Sequence, residues 1–181
     1  MKPIHFTILL YAIFLFAGSK VSAQAIHKTK YSVNGLTFNY CYMEPTGKVK
    51  GIVVLLPGAG EAIKSVFSKT KLPQLLAAKG FVTIVPEIHT LLYADQYSID
   101  VLDAVIRQGQ QKFNILPYII GGFSAGGAIA TRYAEYVLAK DTSSALKGLV
   151  VVDGPLDLER LYTTAEHMIA SCSGIIQKEG Y

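Results

Sequence analysis

Charge is scarce in this sequence. Lys and Arg number 17 and Asp and Glu 13 among 181 residues, a formal net charge of +4. Residues 1–23 hold Lys2 and Lys20 and no acid, so removing those two charges lowers the net from +4 to +2. So small a balance gives nucleic acid or an anionic membrane surface little to attract. Cysteine is scarcer still, with only Cys41 and Cys172. They either pair or stay apart, and nothing in the sequence brings them close. Two partly buried free thiols is the simpler reading. Histidine occurs four times, and beyond residue 124 only His167 remains. No internal repeat and no low-complexity tract interrupts the chain, whose length suits one domain. What is plentiful is apolar: 51% of residues are hydrophobic, and 11 Tyr and 8 Phe help to fill a core.

The first residues read as an export signal rather than as part of a fold. Lys2 supplies a short basic start, and residues 6–17 are apolar except for Thr7. Val21, Ser22 and Ala23 then place small residues where a signal peptidase reads, giving Gln24 as the new N-terminus. The alternative is an uncleaved anchor, but the run is short of the roughly 20 residues that a spanning helix needs. No cysteine follows the run, which argues against a lipid-modified start. The division expected is therefore a signal peptide over 1–23 and one domain over 24–181, in a compartment that permits disulfides.

Along that domain, residues 31–33, Asn34-Gly35 and residues 36–42 predict a β-hairpin, since Asn-Gly accepts the positive φ angles of a tight turn. Residues 51–56 form a continuous apolar run, the mark of a parallel strand buried on both faces. A short helix is expected over 72–79, with Pro73 in its first turn and Gly80 at its end. A buried strand at 81–85 follows. Ser98 then caps a helix from Ile99 that carries Leu102, Val105 and Ile106 on one face. A third core strand, 118–120, precedes a helix from about 125 to 138 with Ile129, Tyr133, Tyr136 and Val137 inward. Residues 149–152 predict a fourth core strand. Leu158, Leu161, Tyr162, Ala165 and Ile169 mark a last helix. Buried strands alternating with helices give an α/β domain with a mostly parallel sheet and right-handed crossovers. Ligands in such sheets sit beyond the carboxyl ends of the strands. Attention therefore falls on residues 57–61, 86–90, 121–126 and 153–157.

One of those turns carries a chemical pattern. Residues 119–127, IIGGFSAGG, place G-x-S-x-G between a strand and a helix. A serine there stands exposed on a sharp turn, and Gly122 and Gly126 leave room for the turn and for close strand–helix packing. The helix N-terminus behind Ser124 offers free N–H groups where an oxyanion would form. A glycine-rich turn, LLPGAG at 55–60, follows an earlier strand. It can aim the N–H of Ala59 (or Gly60) at Ser124, to act with that of Ala125. The plain alternatives are a passive serine at a glycine-rich junction and an ordinary tight turn.

With the hairpin, LLPGAG, LAAKGFVTIVPE at 76–87 and GGFSAGG at 121–127, the chain resembles the α/β-hydrolase superfamily over about residues 31–157. The resemblance implies a three-layer fold with a mostly parallel sheet behind an N-terminal antiparallel hairpin. It implies an ester, thioester or amide hydrolase, or an acyl transferase, that acts on a small acyl substrate through acyl-Ser124. Neither metal nor organic cofactor is implied. The superfamily order is Ser, then Asp or Glu, then His, the last two usually after the seventh and eighth strands. Here residues 150–152 are the sixth. Asp153 directly follows and can serve as the acid. His167 is the one histidine after Ser124, but it falls off the apolar stripe of the last helix. His89 follows the strand 81–85 yet precedes Ser124. The expectation is a hydrolase domain shortened at its C-terminus, impaired in activity and liable to self-association through an exposed sheet edge at 149–152.

Two rival readings remain. A dinucleotide-binding domain would use Gly58, Gly60 and Glu87, but Pro57 precedes the first glycine and Ile63 stands where the third belongs. A non-catalytic hydrolase-fold binding module fits the lack of a well-placed acid and histidine, though not the intact serine turn.

Overall fold

The computed structural model describes residues 24–141, 145–157 and 159–166. The proposed signal segment, His167 and Cys172 lie outside them. The elements in chain order are β1 (Ile26–Val33), β2 (Leu36–Met43), β3 (Gly51–Leu56), α1 (Ser65–Lys69), α2 (Leu72–Ala78), β4 (Phe81–Pro86), α3 (Gln96–Phe113), β5 (Tyr118–Phe123), α4 (Ala125–Lys140) and β6 (Leu146–Val152). Residues 159–166 are helical as well. Among the described residues no helix is long and apolar enough to cross a membrane.

The strands form one sheet in the order β1-β2-β4-β3-β5-β6. β1 pairs antiparallel with β2, and β2 antiparallel with β4. β4, β3, β5 and β6 run parallel, so their carboxyl ends share one rim. The hairpin turn is as expected, with φ of 50° at Asn34 and 80° at Gly35.

Helices cover both faces, and alternation along β3 shows why. Ile52, Val54 and Leu56 join Val101, Leu102 and Val105 of α3 and Ile129 and Tyr133 of α4 in the larger core. Val53 and Leu55 point the other way, to Val66 and Phe67 of α1 and Ala77 of α2. Every residue of β3 is buried, which is why its sequence does not alternate. Cys41 lies fully buried in the smaller core, and burial raises its thiol pKa.

Three expectations need correction. Ser98 does not cap α3. The helix begins at Gln96, and Asp95 is the N-cap, its Oδ1 accepting the Ser98 N–H at 2.9 Å. Ser98 itself is fully buried. Second, β6 is no core strand: it is the last strand of the described sheet, and Leu149, Val150 and Val152 are 41–47% exposed. Residues 149–152 are thus an exposed apolar stretch at the end of the described sheet. Third, the described part of the last helix turns apolar residues outward, with Leu161 40% and Tyr162 65% exposed. Helix α1 was not expected at all. It is one turn long, too short for periodicity to announce.

Candidate active site

Ser124 occupies the turn between β5 and α4. Its backbone has φ 50° and ψ −122°, a region that non-glycine residues rarely adopt. The surroundings hold it there. Its N–H donates to Val152 O at 2.9 Å, which ties the turn to the end of β6. Its carbonyl accepts the N–H of Gly127 at 2.8 Å, starting the helix. The residue remains exposed while Gly122 and Ala125 on either side are buried.

The two glycines of the motif are needed for space. A Cβ on Gly122 would fall inside the carbonyl group of Gly126. A Cβ on Gly126 would lie 2.5 Å from the carbonyl oxygens of Leu56 and Pro57. The second contact also shows that the turn after β3 packs directly on the first turn of α4. Gly58 sits on Phe123 in the same way, its Cβ position 3.7 Å from Phe123 O.

The turn after β3 is a β-turn over residues 58–61. The Glu61 N–H donates to Gly58 O at 3.2 Å, and Gly60 takes φ 69°. The Gly60 N–H donates to Thr90 Oγ1 at 3.1 Å. The Glu61 carboxylate accepts from Ser65 at 3.1 Å and Lys69 at 2.5 Å, and the bond from Lys69 lowers its pKa. Glu61 and Thr90 both fall in the loops that the sequence marks, 57–61 and 86–90, but neither has a role legible there, because the partner of a turn N–H thirty residues away leaves no local signal.

The expected site residues fall as follows. Gly122, Ser124, Ala125 and Gly126 form the turn between β5 and α4, and Ala59 is an exposed residue of the turn after β3, whose Pro57 and Gly58 pack on it. Asp153 directly follows the β6 residue bonded to Ser124, is exposed, and has φ 55°. His89 is tied elsewhere: its Nδ1 lies 2.6 Å from Asp95 Oδ2, and its ring stacks on Tyr97 at 4.4 Å between centroids. His27 stacks on Tyr42. Asp95 is partly buried, which disfavours its charge. The bonds from Ser98 and His89 outweigh that, and its pKa falls to about 2. A groove of about 590 Å³ runs beside α4, between Leu92, Tyr93 and Ala94, Pro155 and Leu156, and Ala128, Thr131, Arg132 and Glu135 of the helix. Glu87, the acid a dinucleotide reading requires, is instead bonded to Asn39 of β2 at 2.6 Å.

This arrangement of sheet, helices and serine turn defines the class, and solved structures agree. The chain is similar to fluorophosphonate-binding serine hydrolase F of Staphylococcus aureus, with a TM-score of 0.61 at 18% identity. The match covers 76% of this chain and 60% of that one. Dienelactone hydrolase from Anabaena variabilis matches at 0.57 and 16% identity, over 75% of this chain and 66% of its own. A thermostable carboxyl esterase from Bacillus coagulans matches at 0.54 and 20%, over 70% and 44%. The chain thus spans less than two thirds of each of these structures. No family model matches the sequence, and no curated protein matches it by sequence. The chain has the α/β-hydrolase fold.

Proposed function

We propose that the chain is a serine hydrolase acting on an ester, thioester or amide through acyl-Ser124. The observation that carries the reading is the backbone of Ser124, an exposed serine at φ 50° between a buried strand and a buried helix start. A turn held in so unfavourable a region needs a reason, and presenting a nucleophile is one. Ser124 Oγ adds to the carbonyl carbon as its proton passes to a base. The N–H groups of Ala59 and Ala125 receive the oxyanion. The alcohol, thiol or amine leaves with a proton, giving acyl-Ser124. Water then releases the acid and restores the serine. The groove beside α4 has the volume usual for small-molecule sites and a mixed lining, apolar at Leu92, Ala128 and Leu156 and charged at Arg132 and Glu135, and can take part of the substrate.

Turnover is expected to be slow. Without a base a serine is a poor nucleophile, and His27 and His89 both have other partners. Asp153 is the acid this reading assigns, and His167 is the base to test. A non-catalytic binding module is the second reading, favoured by those engaged histidines. Hydrolysis of a short-chain nitrophenyl ester separates the two. The first reading expects a measurable rate that falls to background in Ser124→Ala; equal rates in both chains support the second. Export with cleavage before Gln24 is also proposed, and N-terminal sequencing of the exported product tests it. Pairing between copies through residues 149–152 is proposed too, on the exposure of Leu149, Val150 and Val152.

A further inference from the structure

We infer that Thr90 is a positioning residue for the oxyanion-binding turn: by accepting the Gly60 N–H it holds the central peptide of the turn and leaves the Ala59 N–H, on the preceding peptide, as the donor offered to substrate. The inference rests on the acyl-Ser124 reading. Three N–H groups belong to residues 59–61. That of Glu61 closes the turn on Gly58 O, and that of Gly60 goes to the Thr90 hydroxyl at 3.1 Å. Among the described residues, only the Ala59 N–H of the three is left without a protein acceptor.

The need for an anchor follows from the turn itself. The peptide between Ala59 and Gly60 is the central one, and rotating it interconverts the two commonest turn types. Glycine at position 60 tolerates either. Ala59 and Gly60 are both exposed, so packing does not choose between them. The near side of the turn is set by contact with the serine turn, through Pro57 and Gly58. The far side is braced by Glu61 on Ser65 and Lys69. Between these two fixed points, the bond to Thr90 decides which way the central peptide faces. Thr90 follows β4, which neighbours β3 on the side away from β5.

The test is covalent labelling of the 181-residue chain by a fluorophosphonate, followed over hours, with Thr90→Val and Thr90→Ser beside the unmodified protein. Valine keeps the shape and removes the acceptor; serine keeps the acceptor. Losing an oxyanion donor costs roughly 10²–10³ in rate, and loosening one should cost less, about tenfold. Thr90→Val is therefore expected to label about tenfold more slowly, with its concentration dependence unchanged within about twofold. Thr90→Ser should recover most of the rate. Equal labelling of Thr90→Val and the unmodified chain overturns the inference alone. So does Thr90→Ser as slow as Thr90→Val, since packing by the methyl would then be the cause. No label on any chain overturns the acyl-Ser124 reading and this inference with it. Should Thr90→Val fail to fold, amide exchange of Gly60 in the unmodified chain decides: slow exchange supports the anchor, and exchange as fast as that of Ala59 refutes it.

Discussion

β5 has two kinds of neighbour. On one side β3 and the serine turn meet at distances that leave no room for a methyl group. On the other, β6 approaches as closely, a Cβ on Gly121 falling 2.6 Å from Val150 O, and pairs with one register shift after Tyr118, yet it exposes apolar side chains toward both faces. The contrast is sharpest at one cross-strand pair. Ile120 and Leu149 are register partners, yet Ile120 is fully buried and Leu149 is 41% exposed. Backbone pairing alone does not make a core. The interior of this domain forms where helices close over the sheet, and the serine turn is tied to both neighbours, packing on the turn after β3 and bonding Val152 O of β6.

Breaking the buried side should have the largest effect. Gly122→Ala would drive a methyl into the Gly126 carbonyl, and since both partners are backbone, neither can yield. The loss should exceed about 4 kcal/mol, enough to prevent folding of a marginal domain, as circular dichroism would show. Next comes the register pair. Ile120→Ala should cost roughly 2–5 kcal/mol, whereas Leu149→Ala should cost less than about 1 kcal/mol in denaturant titration. Similar costs at both positions would erase the contrast.

A smaller effect concerns the cap of α3. The carboxyl of Asp95 has its pKa lowered to about 2, so its contribution is complete above the unfolded value near 4. It is lost as pH falls from 4 to 2. Asp95→Ala should cost about 1 kcal/mol at neutral pH, and the gap to the unmodified chain should close toward pH 2. The smallest effect on folding is expected at the loose edge. Val150→Lys should change stability by no more than about 0.5 kcal/mol. It should nevertheless reduce self-association measured by sedimentation, because a charge on an edge discourages pairing. Unaltered sedimentation would remove β6 as the contact.

These regions also differ in how openly the sequence announced them. The run 51–56 and the motif around Ser124 were legible because burial on both faces and a strained turn each demand particular residues. Asn34-Gly35 was legible for the same reason. Ser98 misled because serine is a good cap in isolation. Asp95, three residues earlier, took the role once His89 was there to bind its second oxygen. Residues 149–152 read as core because a valine run carries no record of whether a further layer covers it. The Thr90 bond and the engagement of His89 with Asp95 and Tyr97 join residues across loops, and no periodicity reports them.

The central claim is that Ser124 is a nucleophile presented by its turn. Its most direct test is the site of covalent modification. The full chain is incubated with a fluorophosphonate, digested, and the adduct mapped by mass spectrometry. The account predicts one adduct, on the peptide that contains Ser124, absent from Ser124→Ala. An adduct on another serine, or none after prolonged exposure of a folded protein, would contradict it.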